Sequence, residues 1–348
     1  MPLFASPGCG GGTLHEAPAT RRVRPPAAGA GRDGTMIPPR LAALGRVVAI
    51  GGGTGLGRTL RALSFLGERL VGVVATTDNG GSTGWIREQA GGIAWGDIRN
   101  CLNQVVAQPT LGSLLLEYRF VDAGALSGHS LGNLMMLALD QLSPRPLHAI
   151  DLVRELLGVE LRLIPMCESA SHLAARYADG RPVRGEMHLD AMTEVPPAIW
   201  LDPQVAATPE AVQAVVDADL ILFGPGSFMT SILPALLLPD FRAAVAASRA
   251  PRVLIANLHP ERGPVGLLEA AALLRWTREV LGVAVFDRVL WPASRPCPEL
   301  EGVKVVVAQV AAGDCLFHEP ALLTQALERC LADEPERIGP QMNANERK

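Results

Sequence analysis

At 348 residues, 48% hydrophobic and 19% charged, the chain can bury a large core in one or two domains. A net charge of −4 and an aromatic content of 4% supply neither a basic footprint nor stacking platforms, which argues against a nucleic-acid partner. The six cysteines are scattered without a C-x-x-C pair, against a zinc site or disulfide framework, and the apolar runs are too short and punctuated for a membrane span.

Residues Met1–Arg40 are rich in Gly, Ala, Pro and Arg without periodicity, and read as a disordered tail. They lack the apolar core of a signal peptide, so a cytoplasmic protein is expected, and Met36 is an alternative start just before the first patterned segment. Arg46–Ile50 reads as a buried parallel strand, followed by the glycine turn Gly51–Gly57 and a helix over Gly57–Leu66. Leu70–Thr77 is the next strand, which completes a βαβ unit. A second glycine-rich loop, Asp78–Gly84, follows. Helices are expected over Gly96–Ala107, Leu111–Phe120, His129–Leu142 and Ile150–Leu157, with Pro144 and Pro146 closing the third. Residues 159–200 change character, with short alternating segments around the Asp179–Pro182 turn, and predict a small β insertion. Ala218–Phe223 is a strongly apolar strand ending at Gly224-Pro225-Gly226-Ser227. Helices over Thr230–Leu238, Phe241–Ser248, Leu267–Leu281 and Glu319–Leu331 then alternate with strands at Arg252–Asn257, Arg288–Trp291 and Val303–Val307. The pattern predicts one α/β domain over residues 41–332, a doubly wound, mostly parallel sheet, with a flexible tail over 333–348.

Three glycine turns end apolar strands, where a doubly wound sheet collects its ligands. Gly52, Gly53, Thr54 and Gly55 can aim backbone N–H groups at a phosphate, or simply form a tight strand-to-helix turn. Asp78 suits a ribose hydroxyl, a metal or a turn cap, and Asn79, Gly81 and Ser82 continue that loop. Arg87 behind it pairs either with a phosphate or with a surface acid. Gly96-Asp97-Ile98-Arg99-Asn100 brings an acid, a base and an amide into one turn, with Asp97 also a candidate cap, and His129 and Asn133 open a later helix among small residues. Gly224, Gly226, Ser227 and Thr230 form a second candidate anion site or a capped helix.

The segments VVAIGGGTGLGRTL, TTDNGGSTGWIRE, GGIAWGDIRNCLNQ, LEYRF, LSGHSLGNLMMLAL and ADLILFGPGSFMTSILPALLL together resemble the YvcK/YbhK/CofD family, in its YbhK-type branch of “putative gluconeogenesis factors”. The resemblance implies a Rossmann-like fold. It also implies a regulatory protein of growth and cell shape on gluconeogenic carbon sources, with a nucleotide or nucleotide-sugar ligand, a UDP-sugar in some members. Mg2+ would accompany the ligand, with Asp78 as the candidate metal residue. The CofD branch implies the alternative, transfer of a 2-phospholactyl group from a nucleotide diphosphate carrier. Asn79 stands where the common pattern carries a second Asp, and LHPERGPV at 258–265 replaces a Gly-Glu-Thr segment. The apolar composition permits a homodimer.

Overall fold

A computed structural model describes residues 38–106, 108–313 and 315–332. Ten strands are present among them: β1 Val47–Gly51, β2 Leu70–Val74, β3 Arg162–Pro165, β4 His172–Arg176, β5 Pro182–Arg184, β6 Ala198–Asp202, β7 Leu220–Phe223, β8 Arg252–Ile255, β9 Arg288–Pro292 and β10 Lys304–Ala308. Seven form a parallel sheet in the order β10-β9-β8-β7-β1-β2-β3. β1 lies inside it, Val47–Ile50 opposite Leu70–Val73 on one side and Leu220–Phe223 on the other. Every residue of β1, β2 and β7 is buried, which explains why they read as unbroken apolar runs rather than alternating ones.

Successive residues of β1 feed two cores. Val48 and Ile50 join one layer with Phe223, Phe241 and Trp276, while Val47 and Ala49 join the other with Leu60, Ile98 and Leu323. Helices therefore cover both faces of the sheet. The chain runs outward from β1 to β2 and β3, then returns to build β7 to β10 on the other side. The strand order reverses between β1 and β7, and a crevice opens there at the carboxyl ends of the strands.

The second, antiparallel sheet has the order β5-β4-β6 and carries the short helix Glu186–Asp190. It docks on the main body through hydrogen bonds such as Trp276 Nε1 to the Pro196 carbonyl, 2.8 Å.

Several local expectations shift. Leu161–Pro165 supplies β3 of the main sheet, so the β insertion begins only after it. The first helix starts at Gly53, inside the glycine turn, because Gly53 accepts φ 53° there. The second glycine loop likewise opens a helix, Gly81–Ala90, in which Ile86 and Arg87 are buried. Pro146 begins a helix instead of closing one, as its fixed φ suits a first turn. Pro39 and Arg40 belong to a short helix, Pro39–Ala43, while the tails expected over 1–37 and 333–348 lie outside the described residues. Among the described residues no single helix is long and apolar enough to cross a membrane.

The β1 and β7 turns touch directly. A Cβ at Gly55 would stand 2.1 Å from the Pro225 carbonyl oxygen, a backbone atom that cannot swing aside. Gly55→Ala is expected to destabilise the fold by about 1–3 kcal/mol, read as a lower denaturant midpoint at unchanged m-value.

Candidate functional site

The turns after β1, β2 and β7 converge on the crevice, and what lines it is chiefly carboxylate. Asp97, in the first turn of the helix Gly96–Val105, lies against the β1 turn. A Cβ on Gly52 would stand 2.1 Å from Asp97 Oδ2, and one on Gly53 3.0 Å from Oδ1. These glycines are thus accounted for by an acid of the protein itself. Burial, and then the neighbouring Asp78 charge, push the Asp97 carboxyl up to about 7, with Arg99 opposing.

Asp78 follows β2 and uses Oδ1 to accept the Gly80 N–H at 2.7 Å. Its Oδ2 faces Gly96, 3.2 Å from where a Cβ would be. Asn79 points away to the β insertion, where its Oδ1 accepts the Met187 N–H at 3.1 Å. A Cβ on Gly185 would meet Asn79 Nδ2 at 2.4 Å, so the amide and the glycine fit only together. This brace presents Glu186, half-buried, to the crevice. Burial, followed by the Asp78 and Asp97 charges, raises the Glu186 carboxyl to about 9 against the opposing Thr230 side chain.

At the β7 turn, φ of 78° at Gly224 and 145° at Gly226 hold a backbone that favours glycine. Ser227 caps the following helix, its Oγ accepting the Thr230 N–H at 3.4 Å. The donors expected to hold a second phosphate are already engaged. The Gly226 N–H donates to Asn257 Oδ1 at 3.0 Å, and the Phe228 N–H to Glu261 Oε2 at 2.8 Å. Glu261 is raised to about 7, because burial outweighs the Phe228 and Ser227 hydrogen bonds.

A polar network closes the β2 side. Ser82 Oγ lies 3.0 Å from His129 Nδ1, and Asn133 Nδ2 donates to Ser82 Oγ at 3.4 Å. Arg99 Nε donates to Asn133 Oδ1 at 3.0 Å, and Nη2 to Asn100 Oδ1 at 2.7 Å. Five expected residues, Ser82, Arg99, Asn100, His129 and Asn133, therefore form one connected group, with Arg99, His129 and Asn133 buried. Burial lowers the Arg99 pKa from its ordinary value. Arg87, read as free for a phosphate or an acid, instead donates to the backbone carbonyls of Thr77, Asp78, Gly92 and Ser171. Gly81 is exposed in its turn and Thr54 half-buried in its own.

The acids Glu186 and Glu261, the amide Asn257 and the tryptophan Trp85 did not figure in the sequence reading as site residues, whereas Asp97 did, as the acid of its turn or a cap. Trp85 is 45% exposed and packs against His129, ring centroids 4.5 Å apart and planes tilted by 55°. Only Asp97 carried a usable signal, an acid directly after a glycine at a helix start. Glu186 lies 108 residues beyond Asp78, in a segment whose docking no local pattern announces.

Beside the β7 turn lies a cavity of about 140 Å³. Its walls are mainly apolar, Phe228, Leu254, Leu273 and Trp291 among them, with Asn257, Glu261 and Arg295 as polar groups. Arg295 stacks on Trp291 at 4.3 Å and donates to the Asn257 carbonyl at 3.0 Å.

No three Cys, His, Asp or Glu side chains converge as a ready metal cage among the described residues. Mg2+, however, binds through one or two carboxylates with phosphate oxygens completing its shell, and Asp78 with Asp97 fit that mode. Thr77 Oγ1 and Trp95 Nε1, buried close in sequence to these two acids, have no hydrogen-bond partner among the described residues.

The family model described as “2-phospho-L-lactate transferase CofD” matches residues 47–308. A Pasteurella multocida protein named “Putative gluconeogenesis factor” is 49% identical over 291 residues, 83% of this chain and 94% of that protein. A Vibrio cholerae protein of the same name is 50% identical over 289 residues, 82% and 97% of the two chains. The crystal structure of a UPF0052 family member from Bacillus halodurans superposes with a TM-score of 0.75 at 27% identity, over 81% of this chain and 98% of that one.

The site makes a pH prediction. The Glu186 carboxyl titrates at 4.5 when free and about 9 in place, so the folded state holds the extra proton between those values. Stability drawn from the protonated form is lost as pH rises through that window. Glu186→Gln keeps the neutral shape, so its melting temperature minus that of the wild type is expected to grow from pH 5 to pH 9. Scanning fluorimetry across that range checks it, and a flat difference overturns it.

Proposed function

The chain belongs to the CofD family, and on that premise we propose that it is a gluconeogenesis factor, a regulatory protein that binds a nucleotide-sugar of the UDP-sugar class with Mg2+. The observation that carries this reading is the adjacency of two unlike compartments around Gly226, an acidic crevice and an apolar cavity. A nucleotide-sugar has the matching asymmetry, a flat base at one end and a diphosphate that travels with a cation.

In this reading the base and ribose occupy the cavity, between apolar walls and the polar ends of Asn257, Glu261 and Arg295. The diphosphate lies across the β1 and β7 turns. The cation, when bound, would neutralise both the diphosphate and the carboxylates of Asp78 and Asp97. Arg99, which hydrogen-bonds only neutral partners among the described residues, supplies a fixed positive charge at the β2 edge. His129 with Trp85 offers a polar and stacking surface for the sugar. A cytoplasmic role in growth and cell shape on gluconeogenic carbon, and a homodimeric state, belong to the same proposal.

The family model's own description favours a second reading, an enzyme moving a 2-phospholactyl-type group from a nucleotide diphosphate carrier. Such transfer depends mostly on positioning and charge neutralisation, and the crevice offers both. The two readings part on turnover, since a regulator binds its ligand saturably and returns it unchanged.

A thermal-shift series with UDP-N-acetylglucosamine, other UDP-sugars, GDP and GTP, each with and without Mg2+, tests the proposal. Ligand at a hundred times its dissociation constant is expected to add about 2.7 kcal/mol of stability. UDP-sugars are expected to raise the melting temperature with Mg2+, and Asp78→Asn to remove most of the Mg2+-dependent part. A shift with guanine nucleotides alone, followed by their consumption, would replace the regulator with the transferase.

A further inference from the structure

Between Leu258 and Pro264, both buried, the chain passes along the cavity as a strap, residues 259–263. His259, Pro260 and Arg262 are exposed, while Glu261 is half-buried and turned to the β7 turn. Its carboxylate accepts the Phe228 N–H at 2.8 Å and a bond from the Ser227 side chain. Among the described residues these are the only hydrogen bonds from the strap to a neighbouring element. The two ends are fixed without them. At one end Asn257 Oδ1 accepts the Gly226 N–H at 3.0 Å and its Nδ2 donates to the Gly226 carbonyl at 2.9 Å. At the other end Pro264 and Val265 are buried.

We infer, on the reading that the ligand carries a diphosphate, that Glu261 is an internal plug: it holds the β7-turn donors that a ligand phosphate takes, and a bound phosphate releases the strap. The Phe228 N–H has one proton to donate. A phosphate oxygen on that N–H would stand about 4 Å from the carboxylate, where like charges repel strongly in a part-buried setting. Phosphate and Glu261 therefore exclude one another at Phe228. The carboxylate is also held loosely, since burial raises its pKa to about 7 against the pull of both donors. Nor does the local turn require it, because Ser227 caps the helix and Glu261 comes from 33 residues further along the chain.

Release of the strap has somewhere to go. Gly263, with φ 89°, is a hinge position that favours glycine. It lies against Asp190, whose carbonyl oxygen is 3.5 Å from where a Gly263 Cβ would be. Asp190 is the last residue of the short helix that carries Glu186. Displacing Glu261 thus loosens a wall of the cavity and the neighbour of the Glu186 helix together. Occupancy of the β7 turn is then reported on the exposed surface of residues 259–263.

Hydrogen exchange read by mass spectrometry on the full 348-residue chain tests the inference, with inorganic pyrophosphate and with UDP-N-acetylglucosamine, each with Mg2+. Either ligand is expected to speed exchange of the strap amides about tenfold. Glu261→Ala is expected to exchange that fast without ligand and to bind pyrophosphate about tenfold more tightly than the wild type. Glu261→Gln keeps an acceptor for the Phe228 N–H without the charge. It is expected to bind with an affinity between the two, and it carries the test if the alanine variant melts early. Strap exchange that stays level or slows in ligand-saturated wild type overturns the inference. Weaker pyrophosphate binding by the variants overturns it equally, because Glu261 then serves the ligand. Tighter pyrophosphate binding by the variants with no response to UDP-N-acetylglucosamine upholds the plug and removes the nucleotide-sugar. If neither ligand binds any of the three chains, the inference is overturned along with the ligand reading.

Discussion

Carboxylates crowded at one strand-end crevice, with no ion-pair partner among the described residues, set the terms for the rest of the site. The ion pairs of the described residues lie elsewhere, and none includes Asp78, Asp97, Glu186 or Glu261. Removing an ionised acid from water is costly unless it is paired, so such a group shifts its pKa instead. Asp97, Glu186 and Glu261 are all raised, and in each case burial is the first cause. Arginine is available nearby, but its hydrogen bonds go elsewhere. Arg87 ties four backbone carbonyls together, and Arg99 holds an amide network. The protein uses its cations to shape the crevice walls and leaves the floor negative.

That arrangement gives the glycine turns a second meaning. A glycine-rich strand-to-helix turn is normally an invitation to an anion. Here Gly52 and Gly53 make room for the Asp97 carboxylate, and the β7 turn gives its Phe228 N–H to Glu261. The β7 turn is therefore partly satisfied from within, and an internal acid lies against the β1 turn. A ligand's phosphates meet them as competitors of an internal acid, or as partners of a cation shared with it.

The sheet was readable in the sequence because its strands are buried on both faces, which leaves apolar runs bounded by glycine. β1, β2 and β7 needed nothing else. Ser82, Arg99, Asn100, His129 and Asn133 were each legible as candidates near helix starts, but the hydrogen bonds that join them into one group were not, because they link separate elements. What could not be read was anything that depends on docking. The Asn79 brace and the Glu186 it presents belong to elements 108 residues apart in sequence, joined by a hydrogen bond from the Met187 N–H to the Asn79 side chain and a glycine that leaves room for it. Helix starts inside glycine turns were missed for a related reason. Local propensity disfavours glycine in helices, but here tertiary contacts, Gly55 against Pro225 and Gly57 against Gln104, demand it.

Two ways of relieving the negative floor have opposite consequences for a ligand. Protons make Asp97 and Glu186 hydrogen-bond donors, able to meet a bare phosphate, and that mode weakens as pH rises through their raised values. A divalent cation expels those protons and binds more firmly as pH rises. Glu186, raised furthest and facing Thr230 across the crevice, suits the first role. Asp78, whose Oδ2 is not used by the turn bond to Gly80, suits the second. A site that combined them would hold a proton at the β insertion and a cation at the β2 end. The diphosphate would lie between the two, with its base in the cavity beyond the β7 turn.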